Sequence, residues 1–232
     1  MKSAFFFIAI LLVSATQSDA QQERKMKKPV FCGYKYKDTA IVRRHFEKQL
    51  AFLRINDGDT VVDIGSSSGA FTGCINVIAE FKKAHFILVD IDSNCLNQAK
   101  VADMIAYYEG IRGRPFNNSI SLVVNTVDSL WLPLNHYKKI WLFNTLHEIP
   151  DKAGMIRQVS AVMQSGGELL IAELLATEKK KMHNGCNKPL MSDEEMKTLM
   201  AAAGFDFIDV AINPLAVKKI KNPYYLYRFM KR

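Results

Sequence analysis

Apolar and polar positions follow two alternating periods along most of this chain, and the switches between them mark its elements. From Ala40 to Leu53 the apolar residues Ile41, Phe46, Leu50 and Leu53 recur with charges between them, the spacing of an amphipathic helix. Asn56-Asp57-Gly58-Asp59 breaks that period as a turn, and the β-branched run Thr60–Ile64 predicts a strand. The alternation then repeats, with helices expected over 70–82, 93–108 and 152–163 and strands over 85–90, 119–127, 139–143 and 168–174. Gly166-Gly167 reads as the C-terminal stop of the helix over 152–163. Ser192-Asp193-Glu194-Glu195 has the form of a capping box and opens a further helix closed by Gly204, and strands over 205–212 and 224–230 complete the set.

Near-continuous apolar strands separated by helices predict a mainly parallel sheet covered on both faces. The join between the last two strands contains Asn213-Pro214 and Asn222-Pro223 but no helical period, so the last strand is expected to pair antiparallel. The expected fold is an α/β, three-layer α/β/α sandwich built on a mixed seven-stranded, mostly parallel sheet.

The N-terminus departs from this pattern. Lys2 precedes an apolar run from Ala4 to Val13, and Ser18-Asp19-Ala20 supplies the small residues of a cleavage site, so residues 1–20 are expected to be a signal peptide. The run is shorter than the ~20 residues a membrane-spanning helix needs. Residues 21–37 form a basic N-terminal segment, and 38–232 the folded domain. A secreted or periplasmic location follows, with an uncleaved interfacial anchor and a cytoplasmic or membrane-associated domain as the alternative, because Arg24, Lys25, Lys27 and Lys28 oppose translocation.

Composition narrows the classes further. With 49% hydrophobic and 23% charged residues in 232, a disordered or collagen-like chain is excluded. The net charge of +8 is dispersed over several lysine-rich clusters, including Lys179-Lys180-Lys181, and no nucleic-acid-binding signature accompanies it. Nucleic acid is therefore not an expected partner; contact with an anionic membrane surface remains open. Cys32, Cys74, Cys95 and Cys186 show no C-x-x-C spacing, so neither a zinc knuckle nor a redox pair is read from them.

In an open α/β sheet, ligands bind beyond the carboxyl ends of the strands. The candidates there are Asp63 and the loop Gly65-Ser66-Ser67-Ser68-Gly69, Asp90 with Ile91, Asp128 with Ser129, Asn144 to Glu148, and Glu173. Glycines in the first loop allow close backbone approach, and the helix after it offers free N–H groups. Asp90 is placed to accept hydrogen bonds from a ribose diol, so a nucleoside ligand is expected. The loop lacks the middle glycine of G-x-G-x-x-G/A, which argues against a dinucleotide.

These residues resemble a known family. Leu53 through Gly69, with Asp63-Ile64-Gly65-Ser66-Ser67-Ser68-Gly69 at its end, is similar to the first motif of class I S-adenosylmethionine-dependent methyltransferases, and their Rossmann-like fold is the one expected here. Leu146-His147-Glu148-Ile149, Gly166 to Ile171 and Ala203-Gly204-Phe205 resemble later segments of the same superfamily. The resemblance spans about residues 38–232 and implies S-adenosyl-L-methionine as cofactor and a small-molecule or lipid-like acceptor, with O, N or S as the attacked atom left open. It implies that Asp63, Gly65, Ser67 and Gly69 hold the methionine part, and that Asp90 and Ile91 hold the ribose side. Asp128 and Ser129 are implied at the adenine, and Asn144 and Thr145 near the sulfonium. His147 and Glu148 are then the candidate catalytic residues. An exported, catalytically inactive ligand-binding relative is the alternative.

The segment 179–189 falls where a substrate lid is expected. His183 and Cys186, with His147, offer donors for a soft metal, but their scatter in the sequence favours a polar lid without one.

Overall fold

Asp38 starts the first helix by accepting a hydrogen bond from the N–H of Ile41, and α1 (Thr39–Leu53) runs until Arg54 turns left-handed at φ 47°. In the computed structural model, which describes residues 29–79, 81–212 and 224–232, this helix leads into β1 (Thr60–Ile64), α2 (Ala70–Ile78) and β2 (His85–Asp90). There follow α3 (Gln98–Arg112), β3 (Ser119–Val124), β4 (Tyr137–Phe143), α4 (Lys152–Val162) and β5 (Met163–Leu174). A final α5 (Asp193–Ala202), β6 (Phe205–Ile212) and β7 (Tyr224–Lys231) close the chain. The expected signal peptide, residues 21–28 of the basic segment and the proline-bearing join before β7 lie outside the described residues.

The seven strands form one sheet in the order β3-β2-β1-β4-β5-β7-β6. Strands β1 to β5 pair in parallel, and β7 inserts antiparallel between β5 and β6. This is the expected mixed sheet with an antiparallel last strand.

Alternation along the strands divides the core in two. Val61, Phe86, Leu88 and Trp141 pack with Phe46, Ile75 and Met104 of α1 to α3 on one face. Val62, Ile64, Ile87, Ile140 and Leu142 pack with Ile156, Val159, Met196 and Met200 of α4 and α5 on the other. Burying each such side chain stabilises the fold by about 1.5–3 kcal/mol, which fixes the strand register.

Several boundaries differ from the sequence expectation, three of them for a plain local reason. Helix α2 ends at Ile78, because Ala79 is already extended. Helix α3 begins at Gln98 rather than 93. The N–H groups of Cys95 and Leu96 both close onto the Asp92 carbonyl, and Asn97 becomes the cap by accepting from Lys100. Gly166-Gly167 is not a helix stop. Helix α4 passes directly into β5 at Met163, and the glycines fall where pairing shifts from Tyr137–Met163 to Lys139–Glu168. The Ser192–Glu195 capping box is present in full.

Spacing concealed a disulfide. Cys32 and Cys95 are bonded, tying the segment before α1 to the loop after β2. Ser68 reinforces the join, accepting from the Cys32 N–H at 3.0 Å and donating to the Cys95 carbonyl at 2.7 Å.

Candidate active site

The loop from β1 to α2 turns sharply because Gly65, Ser67 and Gly69 take φ of 76°, 53° and 78°. Glycine adopts this conformation freely, whereas Ser67 carries strain of about 1–2 kcal/mol. That strain is offset by bonds to β2. The N–H groups of Gly65 and Ser66 donate to the Val89 carbonyl at 2.8 and 3.1 Å, and the N–H of Ser67 donates to Asp90 Oδ2 at 2.7 Å. The other Asp90 oxygen accepts from the Asp92 N–H at 2.9 Å. Two backbone donors thus hold the carboxylate in place, and it enters no salt bridge among the described residues. Each oxygen keeps a lone pair for a further donor.

Two cavities meet at this loop. The smaller, about 410 Å3, is walled by Ile64, Gly65, Ser67, Asp90, Ile91, Asn125, Asn144, Thr145 and Glu148. The larger, about 1110 Å3, is lined by the rings of Tyr34, Tyr36, Phe46, Phe71, Phe143 and Tyr224 together with Gln49 and Asp63. Gly65, Ser67 and Asn144 belong to both. A side chain at Gly65 would close this junction, since a Cβ there would lie 2.2 Å from Thr145 Cγ2. Asn144 turns left-handed at φ 54°, its N–H donating to the Ala172 carbonyl at 2.7 Å and its side chain accepting from the Tyr224 hydroxyl.

Most of the residues singled out in the sequence converge here, but with distinct positions. Gly65, Ser67, Asp90, Ile91, Asn144, Thr145 and Glu148 all line the smaller cavity. Asp63 lines only the larger one. Its carboxyl accepts from the Thr72 hydroxyl at 2.9 Å, and burial pushes it up to about 7, opposed by that bond. Gly69 lines neither cavity. It is packed against Leu88, whose Cδ1 a Cβ would meet at 2.5 Å.

Asp128 and Ser129 also line neither cavity. Thr126 and Ser129 pair across a tight turn, and the Thr126 hydroxyl holds Asp128 at 2.8 Å on the exposed side. The residue in their stead is Asn125, only 6% exposed, which accepts from the Trp131 N–H at 3.1 Å while its Nδ2 has no partner among the described residues. Placing the end of β3 at Val127 instead of Val124 hid this residue, which is the first after the strand.

His147 is likewise displaced from its expected role. It sits in the short helical turn Leu146–Glu148, is 3% exposed, and faces Glu173 rather than a cavity. Glu173 Oε2 lies 2.9 Å from His147 Nδ1, while Glu173 Oε1 accepts from the Thr145 N–H at 2.9 Å. The segment after β5 covers the imidazole, stacking His183 on it with ring centroids 4.4 Å apart. Burial and the neighbouring His147 hold His183 below the usual histidine value.

Residues 39–210 match the family described as "Methyltransferase domain". The chain is 26% identical over 116 residues to the "Ubiquinone/menaquinone biosynthesis C-methyltransferase UbiE" of Vibrio cholerae, covering 50% of this chain and 41% of that protein. It is 24% identical over 125 residues to the protein of the same description from Shewanella sp. (strain ANA-3), covering 54% and 46%. The chain thus spans less than half the length of these relatives. Among solved structures it is similar to a SAM dependent methyltransferase from Aquifex aeolicus, with TM-score 0.56, 16% identity, and coverage of 84% of this chain and 100% of that one. It is also similar to the [4+2]-cyclase SpnF, with TM-score 0.58, 17% identity, and coverage of 87% and 88%. At these identities the structural likeness speaks for the fold alone.

Proposed function

The chain belongs to the class I S-adenosylmethionine-dependent methyltransferases, and from that premise we propose that it methylates a small, ring-bearing or lipid-like acceptor held in the larger cavity. The observation that carries this reading is the shared wall: Gly65, Ser67 and Asn144 face a cleft edged by Asp90 and Glu148 on one side and a ring-lined cavity on the other. Two reactants held across so narrow a boundary are oriented for in-line transfer, and positioning alone can supply several kcal/mol of catalysis.

Three features of the chain suit the cofactor to the smaller cleft. Asp90 has free lone pairs for a ribose diol, with Ile91 beside it as an apolar surface. Asn125 Nδ2 is a buried donor without a partner, suited to an acceptor nitrogen of adenine. Gly65 leaves room that any side chain would fill. When bound, S-adenosyl-L-methionine supplies an electrophilic sulfonium methyl, so the protein's part is orientation and exclusion of water. Gly65 and Ser67 would hold the methionine portion, with Asp63 as the nearby negative charge. Asn144 and Thr145 stand at the junction. Gly69 would act only by shaping the loop, and Asp128 and Ser129 by closing the turn that presents Asn125.

On the acceptor side, six aromatic rings favour a flat or extended apolar molecule. Gln49 Oε1 is buried without a partner there, which favours an acceptor carrying an O–H or N–H donor. The relatives, described as ubiquinone/menaquinone biosynthesis C-methyltransferases, agree with such a molecule. Of the two expected catalytic residues, Glu148 adjoins the cofactor cleft and His147 acts through Glu173 and the turn it braces. The expected product assay is S-adenosylhomocysteine formation with apolar phenols or quinols, reduced at least tenfold in Phe71→Ala with the KM for acceptor rising first. Turnover indifferent to every change in the ring-lined cavity would refute the acceptor assignment.

A second reading is favoured by the Cys32–Cys95 disulfide. Such bonds persist in oxidising compartments, which supports export of the chain by its N-terminal segment to a secreted or periplasmic location. There a retired relative would bind its nucleoside ligand without turnover, and the fold neighbour SpnF, titled a cyclase, illustrates that this fold is not tied to one reaction. Binding measured by calorimetry with no S-adenosylhomocysteine produced would favour this second reading.

A further inference from the structure

One group of nitrogen and sulfur donors lines neither the cofactor cleft nor the ring-lined cavity. It lies where the segment after β5 folds back over the Leu146–Glu148 turn. That segment is a knuckle: Met182 and Pro189 pair antiparallel, the N–H of His183 donates to the Lys188 carbonyl at 2.8 Å, and the N–H of Leu190 donates to the Lys181 carbonyl at 2.9 Å. Asn187 reverses the chain at φ 53°, its N–H bonded to the His183 carbonyl at 3.0 Å. The knuckle brings the Cys186 thiol to 3.2 Å from His183 Nδ1. That nitrogen otherwise takes only long contacts, 3.3 and 3.4 Å, from the N–H groups of Gly185 and Cys186. One donor atom from each of His147, His183 and Cys186 lies within 4.8 Å of the other two.

His147 supplies a second, independent observation. With Nδ1 held by Glu173, the free nitrogen is Nε2, which is buried and has no hydrogen-bond partner among the described residues. The Glu148 carboxylate is 3.7 Å away, beyond hydrogen-bond reach. Leaving such a nitrogen unsatisfied is unfavourable, so the position calls for a ligand. A carboxylate behind one imidazole nitrogen sets the tautomer that presents a lone pair at the other, the usual arrangement for a metal-bound histidine.

We propose that His147, His183 and Cys186 bind one divalent cation of the zinc class, with Glu173 as the positioning residue behind His147. Two imidazoles and a thiolate are a borderline-soft donor set, unsuited to magnesium or calcium, which require oxygen ligands. Three protein ligands leave a fourth position for water or for Glu148. Bound there, the ion pins the segment 176–190 beside the cofactor cleft, since Thr145 and Glu148 flank His147 and line that cleft.

The test is a titration of the chelator-stripped full chain with Zn2+, competed against a chromophoric chelator, and a parallel titration with Co2+. One Zn2+ per chain is expected, with the near-ultraviolet thiolate-to-cobalt band present in the cobalt form. Cys186→Ser should lose that band, and His183→Gln and Glu173→Gln should each weaken Zn2+ binding about 10–100-fold with unchanged circular dichroism. Absence of stoichiometric Zn2+ binding by the unmodified chain would overturn the proposal. So would Zn2+ affinity unaltered in both Cys186→Ser and His183→Gln. Because the readout is metal binding alone, its failure leaves the methyl-transfer reading untouched.

Discussion

Two buried polar clusters adjoin β5, and they differ in one respect. Midway along it, Arg228 is 1% exposed and every guanidinium nitrogen is engaged: Nε with Asp209 at 3.0 Å, Nη1 with Glu168 at 2.9 Å and Nη2 with the Phe52 carbonyl. Its plane also stacks over the Phe52 ring, 4.6 Å from the centroid. At the far end, Glu173 serves the turn after β4 and His147, yet His147 Nε2 is left without a partner among the described residues. A closed cluster is complete without anything further and acts as a structural pin. An open one marks where a ligand belongs.

Breaking the closed cluster should have the largest effect on stability. Arg228→Ala leaves Glu168 and the Phe52 carbonyl without their donor and is expected to destabilise by about 3–5 kcal/mol in urea unfolding. His183→Ala at the open end, without added metal, should change stability by less than about 1 kcal/mol. Next in size is the bond that fastens the N-terminal segment to the open end. Cys32→Ser with Cys95→Ser should lower stability by about 2–4 kcal/mol, read from the same unfolding curves, with a weaker grip on the cofactor.

Asp63 sharpens the contrast through pH. Its folded value of about 7 lies above the ordinary 3.8, so folding favours the protonated form. Its contribution is therefore full below about pH 4 and is lost as pH rises toward 7, by at most on the order of 4 kcal/mol. Asp63→Asn should flatten that part of the stability profile between pH 4 and 8. A cationic ligand beside Asp63 favours the ionised carboxylate, so cofactor affinity in the unmodified chain should rise with pH through about 7. The smallest expected effect is at the strained loop residue: Ser67→Gly should stabilise by about 1 kcal/mol, measured by thermal unfolding, with cofactor binding retained.

How much of this was legible in the sequence follows the same division. Strands β1 and β2 begin and end where their β-branched runs meet Asp and Gly, because burial on both faces leaves one composition possible. The start of α3 was not legible: Asp92 and Asn97 compete for the backbone locally, and the Cys95 bond holds the turn to a residue far away in the chain. Asp90, Gly65 and Asn144 could be placed because topology alone puts strand ends together. Asn125 could not, since a single amide at a strand end carries no pattern. Nor could the burial of His147, which depends on a loop closing over it from beyond β5.

The central claim is that Asp90 and the bent loop it holds grip the adenosyl cofactor. Calorimetric titration of S-adenosyl-L-methionine into the unmodified chain and into Asp90→Ala tests it most directly. The account predicts measurable binding by the former and a loss of about ten- to a hundredfold in the latter, the worth of hydrogen bonds to a charged acceptor. Equal affinities in the two proteins would contradict it.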